Sequence, residues 1–177
     1  DNGNDLKLIN TGSGSMLVDS EITNERNILM SNAGTTMTVT GDITNGNDII
    51  LTNTGSEMTV NGVIDNGRNL KVTNDGTGSL TVSGDITNAG ITNVINNAKG
   101  SDLTLGGKLT NGEDLVVRNN GPGDLLVSGD VVNKGGAEIT NAGKGLSITG
   151  TRDNARDLVI TNNGTVGLTT SEDSIIT

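Results

Sequence analysis

The chain has 177 residues with 27 glycines and one proline, and it contains no cysteine, histidine, phenylalanine, tryptophan or tyrosine. A globular domain of this length normally fills its centre with several aromatic side chains, so this composition argues against a thick two-layer core. The lack of cysteine excludes a disulfide and a thiolate metal site. A net charge of −10 with no aromatic stacking platform argues against a nucleic-acid partner.

Read in chain order, the sequence is a series of eight repeat units that each begin with an asparagine. The spacing between unit starts is 21 to 23 residues, and the approximate consensus is N-G-x-D-L-x-V-T-N-x-G-T-G-x-L-T-V-x-G-D-I-T. The first-column asparagines, which open the units, are Asn2, Asn24, Asn45, Asn66, Asn88, Asn111, Asn133 and Asn154. The ninth-column asparagines are Asn10, Asn32, Asn53, Asn74, Asn96, Asn119, Asn141 and Asn162. A glycine follows two positions after the ninth column in every unit except the fifth, which has Ala98.

Apolar residues alternate with polar ones in three short runs per unit. In the fourth unit these runs place Leu70 and Val72, then Leu80 and Val82, then Ile86 on one face. The composition is otherwise typical of disorder, but disordered chains rarely keep such alternation. We therefore predict an all-β fold, a right-handed parallel β-helix (a three-sided β-solenoid) of about eight coils of 21–24 residues. Residues 1–177 form a single segment of a longer repeat protein in this interpretation, and stacking at ~4.8 Å gives a rod of about 40 Å.

The asparagine columns are predicted to point into the solenoid. At a corner, an inward amide can bond its equivalents in the neighbouring coils and pair backbone groups that the strands leave unpaired. The alternative is that asparagine merely tolerates turn conformations. Inward ladders are favoured because glycine and aspartate would also serve in a turn, yet both columns are asparagine throughout.

Two units depart from the pattern. The fifth has Thr92 where other units have Leu or Ile, with Ile91 and Ile95 outside the usual positions; the seventh has Ala137 at a core position and Arg152 where Ile is usual. We expect a bulge or a local shift of register there rather than a binding feature. The final SEDSIIT leaves the consensus, as a truncated or transitional coil would. Because no capping segment is visible, the natural protein is expected to continue beyond one or both ends.

Acidic residues are the only candidates for catalysis or metal binding. They recur at two turns of the unit, as Glu21, Asp42, Asp85 and Asp130 and as Asp5, Asp48, Asp114 and Asp157. Stacked carboxylates could supply an acid/base pair or calcium ligands, but their recurrence fits turn formation, and no basic cluster singles one out. We expect no enzyme, no cofactor and no dedicated metal site. The unit also lacks the nine-residue calcium-binding repeat.

Other surface rows have an ordinary explanation beside a functional one. Arg26, Arg68 and Arg156 share the third position of their units and could face an anionic glycan, but solvated turns are the favoured explanation. An outward threonine row suggests ice binding, but threonine is also a good exposed strand residue; its members are Thr38, Thr59, Thr81, Thr104 and Thr169. Asn163 begins the sequence's single N-x-S/T sequon. No apolar run approaches the ~20 residues of a membrane-spanning helix.

Units such as NGEDLVVRNNGPGDLLVSGDVV and NGRNLKVTNDGTGSLTVSGDIT resemble the β-helical shaft of two-partner-secretion adhesins, of the filamentous-haemagglutinin and high-molecular-weight type. The resemblance covers the whole chain, and autotransporter passengers have similar coils. It implies export through an outer-membrane secretion partner, display on the bacterial surface and binding of a host-cell glycan or receptor. The function it implies is that of an adhesin segment mediating attachment to host cells or glycans. The alternative is a passive shaft that projects a binding domain located elsewhere; a polysaccharide-cleaving enzyme and an ice-binding solenoid are less favoured.

Overall fold

A computed structural model describes residues 1–170 as a series of short strands joined by turns. The strands of the first four units are β1 (Leu6–Asn10), β2 (Met16–Val18), β3 (Ile22–Asn24), β4 (Ile28–Asn32), β5 (Met37–Val39), β6 (Ile43–Asn45), β7 (Ile49–Asn53), β8 (Met58–Val60), β9 (Ile64–Asn66), β10 (Leu70–Asn74), β11 (Leu80–Val82) and β12 (Ile86–Asn88). Those that follow are β13 (Thr92–Asn96), β14 (Leu103–Leu105), β15 (Leu109–Asn111), β16 (Leu115–Asn119), β17 (Leu125–Val127), β18 (Val131–Asn133), β19 (Ala137–Asn141), β20 (Leu146–Ile148), β21 (Arg152–Asn154), β22 (Leu158–Asn162) and β23 (Leu168–Thr170).

Every third strand joins the same sheet, so the chain winds through three parallel sheets. Sheet I has the order β1-β4-β7-β10-β13-β16-β19-β22, sheet II has β2-β5-β8-β11-β14-β17-β20-β23, and sheet III has β3-β6-β9-β12-β15-β18-β21. Each strand between the first and last described strands of a sheet pairs with its equivalents one coil before and one coil after. The protein is therefore a three-sided β-solenoid of about eight coils, which confirms the predicted fold class.

Two of the three corners have a constant length. Three residues separate the strands of sheet II from those of sheet III, and three separate sheet III from the next strand of sheet I. The corner from sheet I to sheet II has four, five or six residues, the longest being 97–102 in the fifth unit. The variation in unit length therefore falls wholly in the corner that follows the ninth-column asparagine.

The glycines two positions after the ninth column reflect how closely successive coils approach. A Cβ atom at Gly76 would lie 2.1 Å from the carbonyl oxygen of Gly55, one coil earlier, which is far inside van der Waals contact. No described non-glycine residue has a positive φ angle, nor does any described glycine. Backbone proximity between coils, rather than an unusual dihedral angle, thus explains this column.

The core is a single narrow channel of aliphatic side chains. In sheet II the inward positions stack Met37 on Met58, Leu80 and Leu103, all with no exposed surface. Because each sheet contributes only one or two inward aliphatic residues per coil, the channel accommodates Val, Ile, Leu and Met without aromatic rings. Residues at the first and last coils, such as Leu8 and Ile160, are only half-buried.

The expected bulge or shift of register in the fifth and seventh units is wrong. Leu70 pairs with Thr92, Thr92 pairs with Leu115, and Val131 pairs with Arg152. The pairing is one to one at these positions, so neither strand has a bulge there. The extra residue of the fifth unit lies in its corner instead. The departure of SEDSIIT from the consensus falls on residues 171–177, outside the described part of the chain.

Candidate functional site

The ninth-column asparagines form a continuous ladder of side-chain amides at the ends of the sheet I strands. Each Nδ2 donates to the Oδ1 of the equivalent asparagine one coil later, from Asn10 to Asn162, over 2.7 to 3.1 Å. The side chains between the two ends are buried. The prediction of an inward ninth column is confirmed.

The first-column asparagines form a second ladder at the ends of the sheet III strands. Their Nδ2-to-Oδ1 bonds run in the same direction from Asn2 to Asn154, over 2.5 to 3.2 Å. All are buried except Asn2, which is half-buried. The prediction of an inward first column is also confirmed.

A second hydrogen bond fixes the orientation of the amides in these ladders. Asn74 Nδ2 donates to the carbonyl oxygen of Gly78 at 2.7 Å as well as to Asn96 Oδ1 at 3.0 Å. On the oxygen side, Asn32 Oδ1 accepts from the backbone N–H of Gly34 at 3.3 Å. Within an asparagine amide only the nitrogen can donate to a carbonyl and only the oxygen can accept from an N–H, so the ladders have a defined polarity. Every donor points toward the C-terminal end of the rod.

Thr92 is a member of the first-column ladder rather than a defect in the core. It is fully buried, its hydroxyl accepts from Asn88 Nδ2 at 2.9 Å, and it donates to Asn111 Oδ1 at 2.7 Å. The direct bond from Asn88 to Asn111 is the longest of that ladder at 3.2 Å. A threonine in place of leucine thus adds a polar bridge where the amides are furthest apart.

Replacing Thr92 by valine should lower the free energy of unfolding by about 1 kcal/mol, because valine keeps the shape but removes the bridging hydroxyl. The loss is small because Asn88 Nδ2 also donates to the carbonyl oxygens of Gly90 and Ile91. Urea unfolding followed by far-UV circular dichroism measures the effect. Thr104→Val, at an outward position of sheet II, is the control and should change stability by less than about 0.5 kcal/mol. Equal effects at the two positions would contradict the bridging role.

Arg152 is buried in the core of the seventh unit, where the sheet III column otherwise holds aliphatic residues. It is 3% exposed, and its guanidinium donates to the carbonyl oxygens of Gly129 and Val127 at 2.8 Å and of Thr151 at 2.6 Å. Its Nε has no partner among the described residues. Burial lowers the pKa of Arg152 to about 10, partly offset by the nearby charge of Asp130. The group therefore remains a buried cation at neutral pH.

Most of the recurrent turn carboxylates bind the next coil through a backbone N–H. Through Oδ1, Asp42, Asp85 and Asp130 each accept the backbone N–H of the equivalent residue one coil later, over 2.8 to 2.9 Å; the donors are Val63, Lys108 and Thr151. Asp48 and Asp114 accept the backbone N–H of Asn69 and Gly136 in the same way, at 3.1 and 2.9 Å. Two hydrogen bonds from Thr151 lower the pKa of Asp130 below its ordinary value. These contacts support the interpretation of the acids as turn-forming residues.

The three arginines of the predicted basic row occupy the same turn but are separated along the rod. They belong to the second, fourth and eighth units, and the intervening positions include Asn47, Gly90, Glu113 and Gly135. Arg68 donates to Asn47 Oδ1 at 3.4 Å and lies 3.6 Å from Asp48, while its side chain is 61% exposed. The row therefore presents isolated charges rather than a continuous basic strip.

The threonine row is continuous over only part of sheet II. Thr38, Thr59, Thr81 and Thr104 pair in register on four successive strands, and Leu126 and Ser147 then interrupt the row before Thr169. Each sheet II strand has a single outward residue, so the array is one residue wide. The sequon residue Asn163 lies exposed at a corner.

Sheet I has an exposed ion pair that the sequence did not predict. Arg118 and Glu138 form two hydrogen bonds, at 2.9 and 2.8 Å, between β16 and β19. The bonds raise the pKa of Arg118 and lower that of Glu138, which also accepts from Thr140. The two residues are 20 positions apart, two fewer than the local unit length. Opposite charges at that spacing could have predicted a diagonal contact between neighbouring strands of sheet I.

A shallow groove of about 390 Å³ crosses sheet II in the fifth to eighth units. Its lining includes Asp102, Asp124, Leu126, Gly145 and Val166. The Oδ1 atoms of Asp102 and Asp124 accept the backbone N–H groups of Asp124 and Gly145, both at 2.8 Å. The groove thus combines two carboxylates with the half-buried Leu126 and the exposed Val166.

Over residues 1–170, no group of three or more carboxylates or other metal-binding side chains is placed to hold a metal ion. The same residues contain no helix long and apolar enough to cross a membrane. Comparison with protein-family models, with curated protein sequences and with solved structures found no significant match for the chain. The fold and its two ladders define the class, a three-sided β-solenoid with internal asparagine ladders.

Proposed function

We propose that the chain is a segment of the shaft of a secreted bacterial adhesin displayed on the cell surface, and that it projects a binding region located elsewhere in that protein. The observation that carries the proposal is the unbroken register of all three sheets along the described rod. A stack of this kind transmits load through two amide ladders and three sheets at once. The resemblance of the repeat units to two-partner-secretion adhesins supports the bacterial surface and an outer-membrane secretion partner.

Local contacts suit such a protein to export. Each strand pairs only with its equivalents about 22 residues away, so a coil can form as soon as the next one emerges. No distant segment has to be recruited to complete the core. The rod can therefore fold progressively after crossing a membrane unfolded.

The second candidate is direct attachment to a host-cell glycan or receptor through this segment. The groove on sheet II favours it, since carboxylates beside apolar groups can accept sugar hydroxyls while covering the C–H face of a ring. Neither a cofactor nor a catalytic group is part of this proposal. We also propose that the chain is not an enzyme, because the recurrent carboxylates bind neighbouring turns.

Binding of the fragment to a glycan array and to host epithelial cells separates the two candidates. A shaft should show no saturable binding in either assay. Saturable binding that Leu126→Lys abolishes and Thr59→Lys preserves would overturn the passive shaft and establish the groove as a receptor site. Both substitutions introduce the same charge at an outward position of sheet II. A difference between them therefore shows that binding depends on the groove rather than on the added charge. Release of reducing ends from an acidic polysaccharide would instead establish an enzyme.

A further inference from the structure

A glycine that follows an asparagine favours spontaneous deamidation, because it has no side chain to hinder attack by its main-chain nitrogen on the asparagine amide. The chain has seven such pairs, and five of them lie within the third to sixth units. The asparagines of these five pairs are Asn45, Asn61, Asn66, Asn111 and Asn120. Since the two reacting residues are the same in each pair, the fold decides which of them react.

Three of these asparagines, in the first-column ladder, are protected on both sides of the reaction. Asn66 is 1% exposed, and its Nδ2 has two acceptors within 3.0 Å. The attacking nitrogen, that of Gly67, donates to the carbonyl oxygen of Asn45 in the previous coil at 2.8 Å. The nitrogens of Gly46 and Gly112 make the equivalent bond at 2.9 and 2.8 Å. Deamidation of a ladder asparagine therefore requires that neighbouring coils first separate.

Asn61 is protected on one side only. Its side chain is exposed at the corner between sheets II and III, and its Oδ1 accepts from the hydroxyl of Ser83 at 2.5 Å. The N–H of Gly62 donates to the carbonyl oxygen of Val39 at 3.3 Å. Attack by this nitrogen thus requires the loss of a hydrogen bond to the previous coil.

Asn120 lacks both kinds of protection. Its side chain is exposed at the corner between sheets I and II, where its Nδ2 donates to Asn97 Oδ1 at 2.7 Å. The N–H of Gly121 has no hydrogen-bond partner among the described residues, whereas that of Gly143, one coil later, donates to Asn141 Oδ1 at 3.3 Å. Attack by the Gly121 nitrogen on the Asn120 amide therefore breaks no hydrogen bond of the attacking group.

We propose that Asn120 is a site of spontaneous deamidation in the folded protein and that the ladder asparagines resist the reaction. The Gly121 nitrogen attacks Cγ of Asn120 and forms an N–Cγ bond. The Cγ–Nδ2 bond then breaks, and Nδ2 leaves as ammonia with the proton of the attacking nitrogen. Water opens the resulting succinimide ring at either of its carbonyl carbons, which restores the N–H and gives aspartate or isoaspartate.

The corner that contains Asn120 can accept both products. Isoaspartate adds one atom to the main chain, and the corners between sheets I and II already vary from four to six residues. The other two corners have three residues in every described unit. The hydrogen bond that deamidation removes is to Asn97, which is itself exposed. The modified chain should therefore keep its fold and gain one negative charge at this corner.

Peptide mapping by mass spectrometry, after incubation at mildly alkaline pH, measures the rate at each asparagine from the mass difference between an amide and an acid. The same chain unfolded in concentrated guanidinium is the reference, and far-UV circular dichroism checks that the other sample stays folded. In the folded chain, we expect Asn120 to react within about tenfold of its unfolded rate. We expect the three ladder asparagines to react at least about a hundredfold more slowly than when unfolded.

Asn61 is the matched comparison, because its side chain is also exposed but the nitrogen that follows it is hydrogen-bonded. It should react about tenfold more slowly than Asn120 in the folded chain. Equal rates at Asn61 and Asn120 would overturn the role of the Gly121 nitrogen. A ladder asparagine that reacts as fast as Asn120 would overturn protection by the stacked coils.

The variant Asn120→Asp tests whether the corner accepts the new carboxylate, because it reproduces one of the two products. It should unfold at the same urea concentration as the unmodified chain. A lower midpoint would show that deamidation at this corner damages the fold, which would overturn that part of the proposal.

Discussion

Replacing Asn74 by leucine should lower the free energy of unfolding by about 3 kcal/mol or more, although leucine is the more hydrophobic residue. Asn74 is fully buried and bonds to three partners, accepting from Asn53 at 2.8 Å and donating to Gly78 and Asn96. Leucine removes all three bonds and leaves the half-buried Gly78 carbonyl and the buried Asn96 Oδ1 without that donor. Leaving such groups unpaired costs about 1–3 kcal/mol each, which exceeds the gain from additional apolar surface.

Urea unfolding followed by far-UV circular dichroism measures this effect, because a chain without aromatic residues has no intrinsic fluorescence signal. Asn163→Leu is the matched control, since it makes the same substitution at an exposed corner next to the ladder. Together with Thr81→Ser on the outer face of sheet II, it should change stability by less than about 0.5 kcal/mol. If Asn74→Leu were no more destabilising than these controls, the ladder would have no energetic role.

Replacing Arg152 by isoleucine should leave stability unchanged or raise it by about 1–3 kcal/mol, the opposite of the usual effect of removing a bonded side chain. The carbonyl oxygens of Val127 and Thr151 would still accept from the backbone N–H groups of Thr149 and Val131, at 3.1 and 2.9 Å. Isoleucine is the residue that the same column holds at Ile22, Ile43, Ile64 and Ile86. The substitution therefore exchanges a desolvated cation for a side chain suited to the channel.

The pH dependence of stability gives this prediction a second test. Burial lowers the pKa of Arg152 to about 10 in the folded chain, while the unfolded chain has the ordinary higher value. Between these values the unfolded state binds more protons, so stability rises with pH, and the penalty present at neutral pH disappears as the folded-state group deprotonates. The stability of the unmodified chain relative to Arg152→Ile should thus increase by about 1 kcal/mol between about pH 8 and about pH 10.5.

Arg152→Ala provides the control for side-chain volume. It removes the same charge but leaves a cavity, and it should be less stable than Arg152→Ile by about 2 kcal/mol or more. Thermal unfolding of the three proteins at neutral pH measures the order. A large loss of stability in Arg152→Ile would show instead that the three carbonyl contacts outweigh the cost of burying the cation.

The repeat determined much of the fold because each structural role recurs at a fixed position of the unit. Alternation in runs such as Leu70 and Val72 defined the inward face, and the invariant asparagines marked two corners. Period and polarity together leave few architectures open to a chain without aromatic residues. The turn carboxylates were also interpreted from recurrence alone, and Asp42 and Asp85 bind the next coil as that interpretation requires.

The prediction from the sequence was wrong at the residues that depart from the repeat. Thr92 and Arg152 looked like signs of a bulge because a polar residue in an apolar column usually means that the column has moved. Their partners come from neighbouring coils, at sequence separations of 19 for Thr92 with Asn111 and 23 or 25 for Arg152 with Gly129 and Val127. Only the stacked structure shows that such partners are within hydrogen-bonding distance.

The sequence by itself determined the period, the strand faces and the inward asparagines, because these follow from one unit repeated. The tertiary structure decided the direction of the ladders, since each amide such as that of Asn74 donates both to a carbonyl of the corner that follows it, that of Gly78, and to the asparagine one coil later. It also showed why glycine follows the ninth column, where a Cβ at Gly76 would collide with the carbonyl of Gly55 in another coil. Both features arise from contacts between coils, whose distances no single repeat unit contains.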